Sequence, residues 1–225
     1  MLCEALRAAD ADVVCLQEVT PPVLDHLRGS EALRGYTFSD SDFDAAEGYG
    51  TVIVSRLPVR QWQRHELPTS MGRDLRVALV EPPTGGILAV GTVHLESRRW
   101  NGDVRAEQLD VALPLMRAAA PAALLCGDFN FDDGWDEAGR LQAAPDFRDV
   151  WLTHGRGGPG YTVDTRRNTM TAWHKKTDKQ TRYDRVLARG VSPRAIRLLG
   201  VDPSPDDPAL FVSDHFGLRT EVEME

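Results

Sequence analysis

Cysteine, long apolar runs and positive charge are all scarce in this chain of 225 residues. The three cysteines, Cys3, Cys15 and Cys126, are an odd number without the spacing of a metal site. Cys15 and Cys126 lie in apolar runs, so we expect them to be buried, inert thiols. No apolar run is long enough to cross a membrane, and the N-terminus lacks the basic head and apolar stretch of a signal peptide. These absences predict a cytoplasmic protein with no membrane partner.

The shortage of positive charge also narrows the class of protein. The chain has 26 Lys and Arg residues against 34 Asp and Glu residues, which gives a net charge of -8. A protein that coats nucleic acid non-specifically needs a broad basic face, so this class is disfavoured. The charge is compatible with an enzyme that holds a few nucleotides with local cations, and it suits a site for a divalent metal. Apolar residues make up 42% of the chain, enough for a sizeable core, and we expect a single monomeric domain over residues 1–225.

Hydrophobic periodicity predicts more strands than helices. Helices are expected over residues 2–9, from Pro21 to residue 27, and over 104–119, where Pro114 should kink or interrupt the last of them. Apolar or β-branched runs predict strands over residues 13–16, 51–55, 75–81, 87–95, 122–126, 182–188, 195–199 and 216–223. Because strands outnumber helices and hairpin-length gaps are common, we predict a layered α/β sandwich.

Several of these strands end in polar side chains. DVVCLQEV ends with Glu18, ILAVGTVHLES contains His94, and AALLCGDFN ends with Asp128 and Asn130. RYDR and SDH follow later in the chain. Carboxylates, amides and imidazoles at the ends of apolar strands form a site on a rigid scaffold, which is where chemistry is usually placed.

The residue types suit phosphate-ester hydrolysis. Glu18 can offer Mg²⁺ a hard oxygen ligand, and Asp128 can orient or deprotonate a water molecule. Asn130 can hold that carboxylate and contact a phosphate oxygen. His94 and His215 can stabilise the charge that builds on phosphorus.

An acidic partner for His215 would complete this arrangement. Asp184 would fix the tautomer of His215 and favour its protonated form. Each residue also has an ordinary structural interpretation when taken alone. Asp184 could pair with Arg182 or Arg185, for example, and Asp128 could belong to a turn. The joint occurrence of these residues in order favours the functional interpretation.

The ordered strings LQEV, HLES, GDFN, RYDRVL and SDHFGL resemble the endonuclease/exonuclease/phosphatase superfamily. DADVVCLQEVTPP, VHLESRRWNGDVRAEQL, FRDVW, YTVDTRRN and TRYDRVLAR are similar to its tyrosyl-DNA phosphodiesterase 2 branch. The resemblance extends over nearly the whole chain. It implies a four-layer α/β/β/α sandwich, as in DNase I-like proteins, with the site at one edge of the two sheets.

The resemblance also implies a reaction and a set of roles. Water would attack phosphorus in line, and in this branch the substrate is a 5′-phosphotyrosyl DNA end. Mg²⁺ or Mn²⁺ would bind at Glu18 with outer help from Asp214, and Asp128 would align the water. Asn130, His94 and His215 would contact the scissile phosphate, with Asp184 supporting His215. The expected substrate-binding residues are Ser97, Arg98, Arg99, Thr162, Arg182 and Ser213.

The sequence departs from this family in three places. The family begins with a strand that carries an Asn, whereas here residue 2 already enters a helix, so we expect about ten or more upstream residues in the functional protein. Val163 stands where the branch usually carries a Trp that could stack on a base. The segment Phe131–Asp136 is acidic where the branch tends to be basic, and this would repel phosphates.

Other cations could still hold a substrate, and residues 166–181 could close over it as a mobile loop. Two alternatives remain open: a small-molecule phosphoesterase acting on inositol phosphates or phospholipid headgroups, and a non-catalytic binding module. The candidate cations are Arg73, Arg76, Arg98, Arg99, Arg105, Arg166, Arg167, Lys175, Lys176 and Lys179.

Overall fold

The computed structural model describes residues 1–39, 48–156, 158–175 and 177–225, so the candidate cation Lys176 lies outside the described residues. The described helices are α1 (Leu2–Ala9), α2 (Pro21–Arg28), α3 (Gly102–Ala119), α4 (Ala138–Gln142), α5 (Val150–His154) and α6 (Thr169–His174). The described strands are β1 (Val13–Val19), β2 (Thr37–Phe38), β3 (Gly50–Ser55), β4 (Val59–Glu66), β5 (Asp74–Val80), β6 (Leu88–His94), β7 (Ala122–Asp128), β8 (Arg148–Asp149), β9 (Val163–Asp164), β10 (Gln180–Thr181), β11 (Asp184–Arg189), β12 (Val191–Leu199) and β13 (Gly217–Met224).

The larger sheet has the strand order β4-β5-β6-β7-β11-β8. β6 and β7 are parallel, and the other neighbouring strands of this sheet are antiparallel. In this register His94 lies opposite Asp128, and Asp128 lies opposite Asp184. β6 and β7 end at the edge where β11 begins, so three predicted site residues meet at one end of the sheet.

The second sheet layer consists of the strands β1-β3-β2 and the hairpin β12-β13. Within the described ranges, β1 pairs with β3 alone and β13 pairs with β12 alone. Ile53, Val90 and Ile196 belong to an apolar core between the two sheet layers. Leu218 and Val222 of β13 pack against the same core, so one face of this strand is directed inwards.

Helices cover the outer faces of both layers. Leu109 and Met116 of α3 pack with Leu125 on the outside of the larger sheet. Leu24 and Leu27 of α2 pack on the outside of the smaller one. Burying a leucine side chain contributes about 1.5–3 kcal/mol, so these contacts fix the helices on the sheets. The predicted four-layer α/β/β/α sandwich is confirmed. None of the helices in the described ranges is long and apolar enough to cross a membrane.

Two local predictions need correction. Pro114 does not interrupt the third helix, because α3 runs without a break from Gly102 to Ala119. Pro114 is exposed, so the backbone carbonyl that loses its helical partner can bond to water. The strand β4 was not predicted because VRQWQRHE is largely polar. It is an edge strand that pairs only with β5 within the larger sheet.

Cys15 of β1 and Cys126 of β7 lie between the two sheet layers, with their Sγ atoms 3.9 Å apart. The hydrogen bond between the two thiols and burial raise the pKa of Cys15. A thiol that stays protonated is a poor nucleophile, which supports the predicted inert role.

Candidate active site

Glu18 is presented by an irregularity near the end of β1. The pairing of β1 with β3 shifts register between Leu16 and Val19, and Glu18 has a φ of 55°. A non-glycine residue in this left-handed region costs about 1–2 kcal/mol, so the surrounding structure must hold it there. The Glu18 side chain is 66% exposed, and its Oε1 lies 3.9 Å from His94 Nε2. The bulge thus directs a charged carboxylate towards the other site residues.

Asp128 ends β7 at the centre of the site and is 7% exposed. Its Oδ1 accepts the backbone N–H of Asn130 at 2.7 Å, while Asn130 Nδ2 donates to the Leu95 carbonyl at 3.0 Å. Burial and the negative charge of Asp184 raise the pKa of Asp128 to about 7. Asp128 therefore combines a fixed orientation with a basicity suited to proton transfer near neutral pH.

His94 is buried at the end of β6, next to a permanent cation. Arg73 Nη1 lies 3.0 Å from His94 Nδ1. Because a guanidinium can only donate, Nδ1 must accept and the ring proton must sit on Nε2. That Nε2 lies 3.7 Å from Asp128 Oδ2. Burial and the charge of Arg73 lower the pKa of His94 to about 3, so His94 is a neutral hydrogen-bond donor.

His215 is held by Asp184, as predicted, with Nδ1 3.0 Å from Asp184 Oδ2. Burial disfavours the imidazolium, but the charge and hydrogen bond of Asp184 outweigh it. With further help from Asp128 and Asp214, they raise the pKa of His215 to about 10. His215 is therefore a cation at neutral pH, and the alternative pairing of Asp184 with Arg182 or Arg185 does not occur.

Sequence analysis missed the residues that hold the loop before β13. Asn168 is fully buried, and its Nδ2 donates to the Ser213 carbonyl at 2.9 Å. Its Oδ1 accepts the backbone N–H groups of Met170 and Thr171 at the start of α6. The Thr171 hydroxyl donates to the Asp214 carbonyl. An Asn directly before a short helical pattern is an N-cap signal that could have identified this anchor.

The donor set of the site fits a divalent cation. Asp128, Asp184 and His215 place candidate ligand atoms within 4.8 Å of one another. Protonated His215 cannot act as a ligand, so carboxylate oxygens are the available donors. Glu18 adds to the negative charge that raises the pKa of Asp128. Hard oxygen donors in an excess of negative charge suit Mg²⁺ or Mn²⁺. Asp214 borders His215, and no polar contact between Asp214 and Glu18 occurs within the described ranges.

The predicted substrate-binding residues after β6 differ in their surroundings. Ser97 Oγ accepts from Arg73 Nη2 at 3.2 Å, which joins it to the His94 hydrogen bond. Arg98 and Arg99 are exposed. Arg98 has a φ of 77°, and the Arg99 guanidinium lies 4.0 Å from the ring centre of Trp135.

The remaining predicted contacts have mixed outcomes. Ser213 is exposed, and its Oγ accepts the His215 backbone N–H at 3.2 Å. Thr162 is fully buried, and its Oγ1 accepts the Asp184 backbone N–H at 3.1 Å, so it supports the site from below. Arg182 is 2% exposed and donates to Asp149 Oδ2 at 2.7 Å, so the prediction that it meets substrate does not fit. Its guanidinium is bound within the protein.

Two further predicted cations have acidic partners within the protein. Arg105 is fully buried and is hydrogen bonded to Glu137. Arg166 pairs with Asp178 at the surface. Much of the stretch 166–181 forms α6 and β10. The closing motion predicted for this stretch stays a prediction.

The structure changes the interpretation of two of the expected departures from the family. Val163 is fully buried, so this position offers no exposed surface for a base. Asp133 of the acidic segment pairs with Arg182 and Arg185 at 2.8 and 2.5 Å. Asp132 accepts a hydrogen bond from the Thr181 hydroxyl. The expected repulsion of phosphates is therefore weaker than the sequence suggests.

Two stacked sheets between helices, with this cluster at one edge, define a DNase I-like α/β/β/α sandwich. The sequence model described as Endonuclease/Exonuclease/phosphatase family matches residues 1–215. The chain belongs to this family.

Three similar proteins agree with this assignment. Tyrosyl-DNA phosphodiesterase 2 of Xenopus laevis is 30% identical over 237 residues, covering 99% of this chain and 61% of the relative. The crystal structure of D. rerio TDP2 complexed with single strand DNA product has a TM-score of 0.86 and 28% identity, covering 99% of this chain and 90% of that chain. A D. rerio TDP2 humanized by 14 mutations has a TM-score of 0.83 and 27% identity, with the same coverage. This chain spans about three fifths of the length of the curated relatives that it matches, 61% in the Xenopus laevis case.

Proposed function

We propose that this protein is a divalent-metal-dependent phosphodiesterase that hydrolyses a phosphodiester bond at a nucleic-acid end, of the 5′-phosphotyrosyl type. The observation that carries the proposal is the pairing of a neutral imidazole and a cationic imidazole around one buried carboxylate, Asp128. The similarity to tyrosyl-DNA phosphodiesterases 2 supports the choice of substrate. A monomer working in the reducing cytoplasm is part of the same proposal.

Asp128 receives the proton of the attacking water. Its Oδ1 is occupied by the Asn130 N–H, so Oδ2 is the oxygen directed at the site. Because the pKa of Asp128 is raised to about 7, its carboxylate is basic enough to accept a proton near neutral pH. Because Asn130 fixes the carboxylate, the water is held in one direction, and this orientation lowers the entropic cost of attack.

The two histidines stabilise the phosphate oxygens. His94 donates a hydrogen bond from Nε2, and cationic His215 contributes a positive charge that Asp184 maintains. Fixed donors and charges of this kind act where negative charge builds in the transition state. The Glu18 carboxylate would hold Mg²⁺ or Mn²⁺, which would supply charge neutralisation and substrate orientation when bound.

The bond changes balance without a covalent intermediate on the protein. The water oxygen bonds to phosphorus, the bond from phosphorus to the leaving oxygen breaks, and one water proton moves to Asp128. The leaving tyrosine oxygen departs with the electron pair of the broken bond. The nucleic acid retains a 5′-phosphate.

The test is Mg²⁺-dependent release of tyrosine from a 5′-tyrosyl oligonucleotide, compared between the wild type, Asp128→Asn and Asp25→Asn. Asp25 is an exposed carboxylate on α2 and serves as the matched control. We expect metal-dependent release in the wild type and the control, and loss of release in Asp128→Asn. Hydrolysis of a generic phosphodiester without tyrosine release would contradict the substrate. Inactivity on both substrates would contradict the catalytic function and favour a binding module.

A further inference from the structure

Two cations and two aromatic rings form a continuous row beside the catalytic residues. Arg99 Cζ lies 4.0 Å from the ring centre of Trp135, and the Trp135 and Tyr183 rings are 6.0 Å apart. At the other end, Lys179 Nζ lies 4.4 Å from the ring centre of Tyr183. We call Arg99, Trp135, Tyr183 and Lys179 the cation–ring row. Its members come from three separate parts of the chain, so only the fold brings them together.

The row is held in place at its Lys179 end. Thr165 Oγ1 accepts the Lys179 backbone N–H at 2.9 Å, and the Thr165 backbone N–H donates to the Lys179 carbonyl at 3.0 Å. The Lys179 ammonium also donates to the Tyr183 hydroxyl. Lys179 is therefore fixed beside the paired strands β9 and β10, and two of its three ammonium hydrogens are left for other acceptors.

The row begins next to the reacting groups. The Tyr183 ring lies 6.4 Å from the His215 ring, centre to centre. The charges of Asp132 and Asp128 act on Lys179, and the charge of Arg99 acts on it as well. Burial and nearby Lys175 lower the pKa of Lys179. These effects place the ammonium within electrostatic range of both the catalytic carboxylate and the opposite end of the row.

The cations of the row are available to a ligand. Neither Arg99 nor Lys179 forms an ion pair with any residue for which the structure gives a position. The acidic side chains nearby have other partners, since Asp133 pairs with two buried arginines and Asp132 accepts from Thr181. Beyond Trp135 lies a groove of about 610 Å³, which is lined by Arg99, Arg140 and the exposed Trp100 but also by the carboxylates of Asp103, Asp136 and Glu137.

We propose that the cation–ring row is the subsite for the second phosphate of the substrate, the one that follows the scissile phosphate along the nucleic-acid strand. Arg99 and Lys179 bind this phosphate. Two cations without an acidic partner among the described residues suit the phosphate of a phosphodiester backbone. This inference rests on the proposed function and assigns Lys179 a specificity role within it.

The experiment compares two substrates with the same leaving group and different numbers of phosphates. One is thymidine 5′-(4-nitrophenyl phosphate), and the other is a tetranucleotide with the same 5′-terminal ester. Lys179→Gln and Arg99→Gln are measured with Mg²⁺ over a range of salt concentrations. Arg60→Gln is the control, because Arg60 is an exposed cation on β4 at the opposite end of the larger sheet from His94.

Each row variant should raise the KM for the tetranucleotide about 10-fold more than the KM for the mononucleotide, since one charged contact to the second phosphate is lost. The slope of log(kcat/KM) against log[salt] for the tetranucleotide should fall in magnitude by about 0.7 in each variant. Arg60→Gln should behave as the wild type. Equal losses on both substrates, or no loss on either, would overturn the subsite.

A parallel binding measurement separates this inference from the proposed function. Anisotropy of a fluorescent 5′-phosphorylated tetranucleotide reports the subsite without turnover. Weaker binding by both row variants, with normal binding by Arg60→Gln, would support the subsite. If the wild type then hydrolysed neither substrate, only the proposed catalytic function would be contradicted. Equal binding by all four proteins would overturn the subsite whatever the hydrolysis shows.

Discussion

His94 and His215 lie near the same carboxylate, Asp128, yet their surroundings give them opposite charges. His94 Nδ1 is 3.0 Å from an Arg73 nitrogen, and His215 Nδ1 is 3.0 Å from an Asp184 oxygen. The first pKa is lowered to about 3 by burial and Arg73, whereas Asp184 overcomes burial and raises the second to about 10. Burial disfavours the charged form of both rings, so the sign of the partner decides whether the effect of burial is reinforced or overcome.

The difference in charge suits the two imidazoles to different tasks. A neutral ring with its proton on Nε2 gives a directional hydrogen bond that is insensitive to pH over the working range. A protonated ring gives a full charge, which stabilises a dianionic transition state more strongly. In the proposed mechanism, one ring of each kind beside Asp128 supplies orientation and charge from separate residues.

The largest expected effect comes from removing the partner of the cation. Asp184→Asn should lower the pKa of His215 from about 10 towards its ordinary value of 6.5. At a pH of about 8 the ring would then be neutral, and kcat should fall about 10²- to 10³-fold. Because a raised pKa contributes its effect below the ordinary value and loses it above the raised one, acidification should restore the charge in the variant.

The measurement is the ratio of variant to wild-type kcat from about pH 5.5 to about pH 9, together with a nitrogen NMR titration of the His215 ring. The ratio should rise towards one as the pH falls below 6.5. A ratio that stays constant with pH would show that Asp184 positions the ring and does not set its charge.

The next effect tests the strand that places Asp128 between the two rings. Gly127 has a φ of 133°, and a Cβ there would lie 1.9 Å from the Val93 carbonyl oxygen. Gly127→Ala should therefore destabilise the fold by about 3 kcal/mol or more, through backbone strain and collision between β6 and β7. Gly134→Ala is the control, since a Cβ there meets nothing within 4 Å.

Urea unfolding of the two alanine variants gives the comparison directly. Gly134→Ala should stay within about 0.5 kcal/mol of the wild type. If Gly127→Ala were equally mild, the close approach of the strands that carry His94 and Asp128 would not be a requirement of the fold.

Sequence patterns identified the polar residues at the ends of apolar strands that the structure brings together. Glu18, Asp128 and His215 each occupy a short polar string whose order along the chain is specific, and the fold brings these strings to one edge. A layered α/β sandwich follows from the excess of strands and the hairpin-length gaps, whereas its four-layer arrangement was implied by the resemblance to the family. Short strands such as β8, β9 and β10 were missed because two residues carry no periodic signal.

What the sequence could not reveal are pairings made across the fold. Arg73 lies 21 residues before His94, and no local pattern shows that it holds the ring neutral. Asp133 in an acidic segment looked repulsive to phosphate, but it is paired with Arg185, 52 residues later. Arg182 looked available for substrate and is buried in the same network. Such contacts depend on tertiary register, which composition and spacing do not encode.

A smaller effect is expected on the neutral side of the comparison. Arg73→Gln removes the donor that fixes the His94 tautomer and should reduce kcat/KM about 10- to 100-fold, as for other residues that orient a functional histidine. Arg60→Gln, which removes an exposed cation from β4, is the control. NMR should show both tautomers of His94 in the variant. A single Nε2–H tautomer with wild-type kinetics would show that burial alone sets the state of His94.

The smallest expected effect concerns a surface carboxylate, Asp146, whose partners are two arginines. Asp146 lies 2.7 Å from Arg117 and 3.0 Å from Arg189, and the hydrogen bond from Arg117 leads the lowering of its pKa to about 2. The side chain is 38% exposed, so solvent screening limits its contribution, and Asp146→Asn should cost about 0.5–1 kcal/mol at neutral pH.

Because the pKa of Asp146 is lowered by folding, its stabilisation is present above the ordinary value of 3.8 and is lost as the pH falls through about 2. The difference in unfolding free energy between wild type and Asp146→Asn should therefore shrink from about pH 4 downwards. Urea unfolding at several pH values measures this difference. A gap of several kcal/mol at neutral pH would contradict the weak contribution that is expected from an ion pair screened by solvent.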